Sequence, residues 1–351
     1  MPGTERPEYS GQIFIHIGWH KSASTYLQEG FFQQIGINFQ PLKQVPTQFA
    51  GRAPQQDSLI HFVESPSSFD ASLMRSMTLP IIESDRDQTT IISHEQISGH
   101  PHGYAIIDPA VSARNLASAY PNARIIAVIR NQWDYILSLY AYRVSIRGHE
   151  TRSFSRFVTE DGAKGLISHI EYDQLIGQYV DLFGASNILI LPVEMLKSAP
   201  DQFFSRLSHF IGQPAPTEMQ QVTSNESTRL KMVLHTWIPL NTVFSYAMKL
   251  TLRVLGKNPA DYEPDKKMIY PFISQRLRYY RFKRRMTALL NRIFKNGREL
   301  NKDDIPGFED LELVFSKSNR RLTELGVVDW DMHQFGYPLS DPLNQRSEPT
   351  V

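Results

Sequence analysis

The stretch Ile15-His-Ile-Gly-Trp-His-Lys-Ser-Ala-Ser-Thr25 concentrates small, basic and hydroxyl-bearing residues in one loop. Small residues let backbone N–H groups approach an anion closely, and a loop entering a helix offers such groups unpaired. Lys21 adds a mobile positive charge, and Ser22, Ser24 and Thr25 add hydroxyl donors. Together these parts make a site for a phosphate or sulfate ester. The spacing is not that of a nucleoside-triphosphatase loop. That motif needs glycine, four residues, then Gly-Lys-Ser/Thr, whereas here Gly18 precedes Lys21 by three positions and Ala23 stands in the middle. The plainer alternative is an ordinary strand-to-helix turn with a solvated lysine.

The elements that must position this loop follow from hydrophobic patterning. Gln12-Ile-Phe-Ile-His-Ile17 is β-branched and aromatic and runs into Gly18, which predicts a buried parallel strand. Tyr26, Leu27, Phe31 and Phe32 then recur at near-helical spacing. Further strands are expected at Thr89–Ser93, ending at His94 and Glu95, at Arg124–Ile129, ending at Arg130, and at Asn187–Leu191. Helices are expected near 68–77, from Asp108 and Pro109 to Ala119, over Gln132–Arg147, over Ile170–Phe183 before Gly184, and over Ser198–Ile211. Residues 41–89 have weak periodicity and support little else. Strands alternating with helices predict an α/β fold, a parallel sheet flanked by helices, with ligands at the carboxyl edge of the strands. In that frame Arg130 ends the clearest strand, and Ser138 lies almost two turns into the next helix, facing back toward the strand end.

The stretch Gly18-Trp-His-Lys-Ser-Ala-Ser-Thr-Tyr-Leu-Gln28 resembles the 5′-phosphosulfate loop of sulfotransferases that use PAPS (3′-phosphoadenosine 5′-phosphosulfate), most of all the bacterial branch that often acts on carbohydrates. Lys21, Ser22, Ser24 and Thr25 match that loop, and Ala23 departs from it where glycine is usual. Arg130 and Ser138 resemble the pair that grips the 3′-phosphate of PAPS in the family, and Asn131-Gln-Trp-Asp134 and Ser138-Leu-Tyr140 are similar to the bacterial branch. Weaker echoes are Tyr172 leading to Leu189-Ile-Leu-Pro-Val-Glu-Met-Leu196, and Ser318-Asn-Arg-Arg-Leu322 with Gly326. The resemblance implies a P-loop-like sulfotransferase fold over residues 11–224. It implies sulfuryl transfer from PAPS to an acceptor hydroxyl, on a carbohydrate or glycolipid, releasing PAP (the desulfated adenosine bisphosphate) without a metal.

Such a transfer needs three roles filled. Lys21 would offset charge on the departing phosphate oxygen. Ser22, Ser24, Thr25 and the loop amides, those of Ala23 and Tyr26 included, would hold the phosphosulfate. A general base would take the acceptor proton, and Glu95 is favoured over His94 for it. Tyr26 or Trp19 could stack on adenine, although core packing is the commoner fate of such residues. His16, inside the strand, reads as a satisfied core residue, and His20 either touches the sulfate or faces solvent. Two rivals remain at this stage: a nucleotide-dependent kinase, and a non-catalytic adaptor for membranes or polyanions, which Ala23 keeps in play.

Composition bounds the rest. The chain has 351 residues, 41% hydrophobic and 21% charged, with 37 basic residues against 36 acidic ones. That balance excludes wholesale disorder. The absence of cysteine excludes disulfides, thiol nucleophiles and Cys-ligated metals. The polar opening and the lack of a long apolar run give a cytoplasmic protein as the expectation. Between Thr251 and Leu300 there are 13 basic and 4 acidic residues, so charge is segregated into a stretch expected to be a helical, basic C-terminal extension over 225–300. Residues 301–351 would then return to the core. The extension fits an acidic polysaccharide acceptor, an anionic membrane surface at the inner face, or a solvated helical face whose apolar side packs on the core or on a second subunit as a homodimer contact. Nucleic acid is not expected, because no base-reading motif accompanies the charge.

Overall fold

The apolar, β-branched runs form the strands of a parallel sheet in the computed structural model, which describes residues 11–35, 37–42, 59–79, 89–99, 101, 108–144, 150–161, 165–216, 300 and 302–339. The expected basic extension at 225–300 lies outside the described residues except for Leu300. The described strands are β1 (Ile13–Gly18), β2 (Asn38–Pro41), β3 (Thr90–His94), β4 (Arg124–Ile129) and β5 (Ile188–Pro192). Their order is β2-β3-β1-β4-β5, and every pairing is parallel. β1 is therefore central, with Ile17 opposite His94 of β3 and Gly18 opposite Val128 of β4. This order brings the loops that follow β1, β3 and β4 to one edge of the sheet, where the chain switches from one side of β1 to the other.

The helices named in this account are α1 (Ser24–Leu27), continued by a π-turn over Gln28–Phe32, α2 (Leu59–Val63), α3 (Ala71–Thr78), α4 (Pro109–Ala119), α5 (Gln132–Tyr142), α6 (Phe154–Asp161), α7 (Ile167–His169), α8 (Tyr172–Phe183), α9 (Val193–Ser198), α10 (Pro200–Ile211) and α11 (Phe308–Glu324). Boundaries follow the local chemistry. The Asp108 carboxylate accepts from the Ala110 amide at 2.9 Å, with Pro109 at the first position of α4, and α8 stops at Gly184. α8 packs against α4 and α11. β1 and β4 are buried along almost their whole length, as a sheet covered on both faces requires. The edge strand β2 and the helix α6 have no counterpart among the sequence-based expectations.

The chain divides into two compact units, Met1–Tyr135 with Asp161–Ser224 and Gly307–Val351, and Ile136–Glu160 with Asn225–Pro306. The first holds the sheet. In the second, the Tyr140 hydroxyl donates to the Arg152 carbonyl at 2.8 Å, and the Tyr140 ring lies 5.2 Å from both Phe154 and Phe157. Arg152 grips the buried Glu150 carboxylate through Nε at 2.9 Å and a terminal nitrogen at 2.8 Å. Burial alone would push that carboxyl up; the Arg152 hydrogen bonds outweigh it and hold the group below its ordinary value.

Behind the carboxyl edge a buried polar knot ties β1, β3 and the π-turn together. The Ser93 hydroxyl meets His16 Nδ1 at 2.8 Å and accepts from Gln28 Nε2 at 2.9 Å. Burial pushes the His16 imidazole down to about 3. The folded protein thus excludes a proton that the unfolded chain binds. This contribution to stability is complete above pH 6.5 and is lost as the pH falls from there toward 3. Denaturant melts of wild type and His16→Gln at pH 7.5 and pH 5 should therefore show the wild-type advantage shrinking at the lower pH, by up to about 2 kcal/mol. An advantage that does not change with pH would contradict this origin.

Candidate active site at the carboxyl edge of the sheet

The loop from Gly18 to Ser24 is held from below. The Trp19 indole is fully buried, donates to the His169 carbonyl at 3.0 Å and meets Tyr172 edge-on at 5.1 Å. It is an anchor for the loop, and its ring is not placed to stack on a ligand. The Ser98 hydroxyl donates to the Gly18 carbonyl at 2.8 Å, joining the loop to the 3₁₀ turn Glu95–Ser98. Gly18 itself has no room for a side chain: a Cβ there would run into Ser24 and lie 3.3 Å from His16 Cε1.

Lys21 and Ala23 both have left-handed backbones, φ 63° and φ 60°, while Ser22 between them does not. Alternation of this kind turns successive N–H groups toward one side and makes a concavity for an anion. Alanine accepts a left-handed backbone only under strain, so glycine would suit position 23 better. The Ser22 side chain is fully buried, and its hydroxyl has no hydrogen-bond partner among the described residues. Ser24 is buried and makes a long bond of 3.4 Å to the Trp19 carbonyl, and Thr25 is exposed. Tyr26 leans on Phe204 with ring centroids 6.4 Å apart, so its ring already has a neighbour in the protein.

Arg130 comes to this loop directly. One terminal nitrogen of its guanidinium donates to the Lys21 carbonyl at 3.0 Å, across 109 residues of sequence. Its Nε is buried and has no hydrogen-bond partner among the described residues. Burial, and next the Arg130 charge, push the Lys21 ammonium below its ordinary value, and Glu95 opposes them. The Glu95 carboxylate lies 3.5 Å from His20 Nδ1 and remains partly open to solvent. Lys21, His20, Glu95 and Arg130 therefore form one cluster.

His94 is used differently. Its Nδ1 accepts the Gln96 amide at 3.1 Å, capping the 3₁₀ turn. Accepting there engages the Nδ1 lone pair, so a proton taken on that nitrogen would break the cap. Ser138 is buried on α5 within the second unit, and its placement is described by that helix alone.

Sequence reasoning did not single out Tyr135, whose buried hydroxyl also has no hydrogen-bond partner among the described residues and lies in the field of Tyr172, Glu95 and Arg130. Nor did it single out Ser98 or the side-chain roles of Asn131. A buried polar group left unpaired costs about 1–3 kcal/mol.

A family model described as the sulfotransferase domain matches residues 15–242. The chain belongs to the sulfotransferase family. Among curated proteins no match reaches significance. Solved structures to which this sulfotransferase is similar include a sulfotransferase from Alicyclobacillus acidocaldarius, 17% identical, with a TM-score of 0.39 over 68% of this chain and 95% of that one. A mouse sulfotransferase complexed with PAP is 15% identical, TM-score 0.35, over 57% of this chain and 58% of that one. A sulfotransferase domain from the curacin biosynthetic pathway is 15% identical, TM-score 0.33, over 59% and 75%. Among the described residues of this sulfotransferase no helix is long and apolar enough to cross a membrane.

The strain at position 23 gives a direct test. Ala23→Gly should stabilise the protein by up to about 1 kcal/mol, and Ala23→Val should destabilise it by at least about as much. Urea denaturation followed by tryptophan fluorescence measures both; a destabilised Ala23→Gly variant would refute the strain.

Proposed function

We propose that this sulfotransferase moves a sulfuryl group from PAPS to an acceptor hydroxyl, on a carbohydrate or glycolipid, and releases PAP. The observation that carries the reading is the Arg130 guanidinium on the Lys21 carbonyl, which sets a cation for a 3′-phosphate beside a loop shaped for a 5′-phosphosulfate. The unpaired Ser22 hydroxyl and Arg130 Nε supply donors of the kind such a doubly anionic nucleotide needs. PAPS supplies an activated sulfuryl group and, after transfer, a stable phosphate leaving group.

In this reading each side chain has a role. The amides from Ser22 to Tyr26, with the hydroxyls of Ser22, Ser24 and Thr25, hold the phosphosulfate. Lys21 offsets the charge that grows on the bridging oxygen as the sulfur–oxygen bond breaks. Arg130 holds the 3′-phosphate, which separates this donor from ATP, and the family resemblance alone gives Ser138 the same ligand. Glu95 takes the acceptor proton as the new oxygen–sulfur bond forms, with His20 orienting its carboxylate. The capping role of His94 supports Glu95 over His94 as the base.

Calorimetry without magnesium tests the donor: PAP should bind more tightly than ADP, and Arg130→Ala should weaken PAP by about 10- to 100-fold while barely moving ADP. Equal affinities for PAP and ADP in the wild type would defeat the assignment. Turnover of labelled PAPS against panels of glycan, glycolipid and phenol acceptors identifies the second substrate. With that acceptor, Lys21→Ala and Glu95→Gln should each lower kcat by at least about 100-fold. Full activity of Glu95→Gln together with loss in His94→Ala would give the base to His94.

A further inference from the structure

The peptide unit that follows Arg130 is held at both ends by side chains from elsewhere in the first unit. Its carbonyl accepts the Tyr172 hydroxyl at 2.6 Å. Its N–H, which belongs to Asn131, donates to Glu194 Oε1 at 3.1 Å. Rotating that peptide plane would break both bonds at once, so the backbone torsions beside Arg130 are fixed and with them the direction in which its side chain leaves the chain.

Glu194 is in turn held from the C-terminal segment. Its Oε2 accepts the hydroxyl of Tyr337 at 3.2 Å, and Tyr337 is almost fully buried. The neighbouring Gly336 carbonyl accepts from the Asn131 side-chain amide, while Asn131 Oδ1 takes the Trp133 amide at 3.0 Å at the start of α5. Gly336 has φ 77°, and a Cβ there would press to 3.3 Å from Asn131 Nδ2. The segment after α11 thus approaches the Arg130–Asn131 turn too closely for a side chain and meets it through matched polar groups.

We infer that Glu194 and Tyr337 are positioning residues for Arg130, through which the C-terminal segment sets the preference for a nucleotide carrying a 3′-phosphate. The inference rests on the reading of Arg130 as the 3′-phosphate ligand. Neither residue touches the nucleotide. Each acts through the peptide plane beside Arg130, so removing one should erode discrimination between PAP and ADP and leave the 5′ end untouched.

The test is calorimetric titration of the full chain with PAP and with ADP, for Tyr337→Phe, Glu194→Ala and Glu194→Gln, with Arg130→Ala as the reference and thermal melts of each. Tyr337→Phe should lose about 3- to 10-fold in PAP affinity, the worth of one hydrogen bond. Glu194→Ala should lose at least about 10-fold, for a bond to a charged group. ADP affinity should hold within about twofold in both. Glu194→Gln should recover most of the loss, because its amide oxygen still accepts the Asn131 N–H. PAP and ADP affinities falling together, or an unchanged PAP-to-ADP ratio in folded variants, would overturn the inference as a mere packing role. If Arg130→Ala itself leaves the ratio unmoved, the premise about Arg130 fails and the inference falls with it. Should Glu194→Ala fail to fold, Tyr337→Phe, which removes one oxygen atom, decides the matter.

Discussion

A single hydrogen bond, from the Arg130 guanidinium to the Lys21 carbonyl, turns two loops into one site. It is possible because β1 and β4 are adjacent parallel strands, with Gly18 facing Val128, so their carboxyl ends open on the same edge. β3, on the other side of β1, delivers Glu95 to that edge. Three crossovers thus converge on the central strand, and no residue of the cluster needs a long loop to reach it. The arrangement also explains the electrostatics. Burial, and next the repulsion between two cations packed together, lower the affinity of Lys21 for its proton, and Glu95 opposes them. A polyanionic ligand would relieve that repulsion.

Such a site costs the fold stability, and the surroundings offset the cost. Two left-handed non-glycine residues and unpaired buried donors persist only where neighbouring structure over-determines them. Here the buried indole of Trp19, the Ser98 bond to Gly18 and the His16–Ser93–Gln28 knot hold the loop from beneath. Asn131, Tyr172 and Glu194 do the same for the arginine. The loop from Gly18 to Ser24 is thus braced from beneath by buried groups.

Much of this frame was legible in the chain. The strands at 13–18, 90–94, 124–129 and 188–192 are short, apolar and punctuated by Gly, Pro or a cap, and burial on both faces leaves that signature in the sequence itself. Helix α4 was legible in Asp108-Pro109, and α8 in its stop at Gly184. The strand Asn38-Phe-Gln-Pro41 was not, because its amides and proline carry no apolar pattern and only pairing with β3 makes it a strand. In the candidate site, the loop Gly18–Thr25 stood out by residue type and spacing. The Asn131–Glu194–Tyr337 brace was hidden: it joins residues 63 and 143 positions apart, and no local spacing encodes such a contact.

The most direct test of the account is a crystal structure of the protein with PAP bound. The account predicts the 5′-phosphate on the amides between Ser22 and Tyr26 and the 3′-phosphate on Arg130, with the Arg130 bond to the Lys21 carbonyl retained. A nucleotide held at only one of these ends, or with Arg130 turned away from the loop, would contradict it.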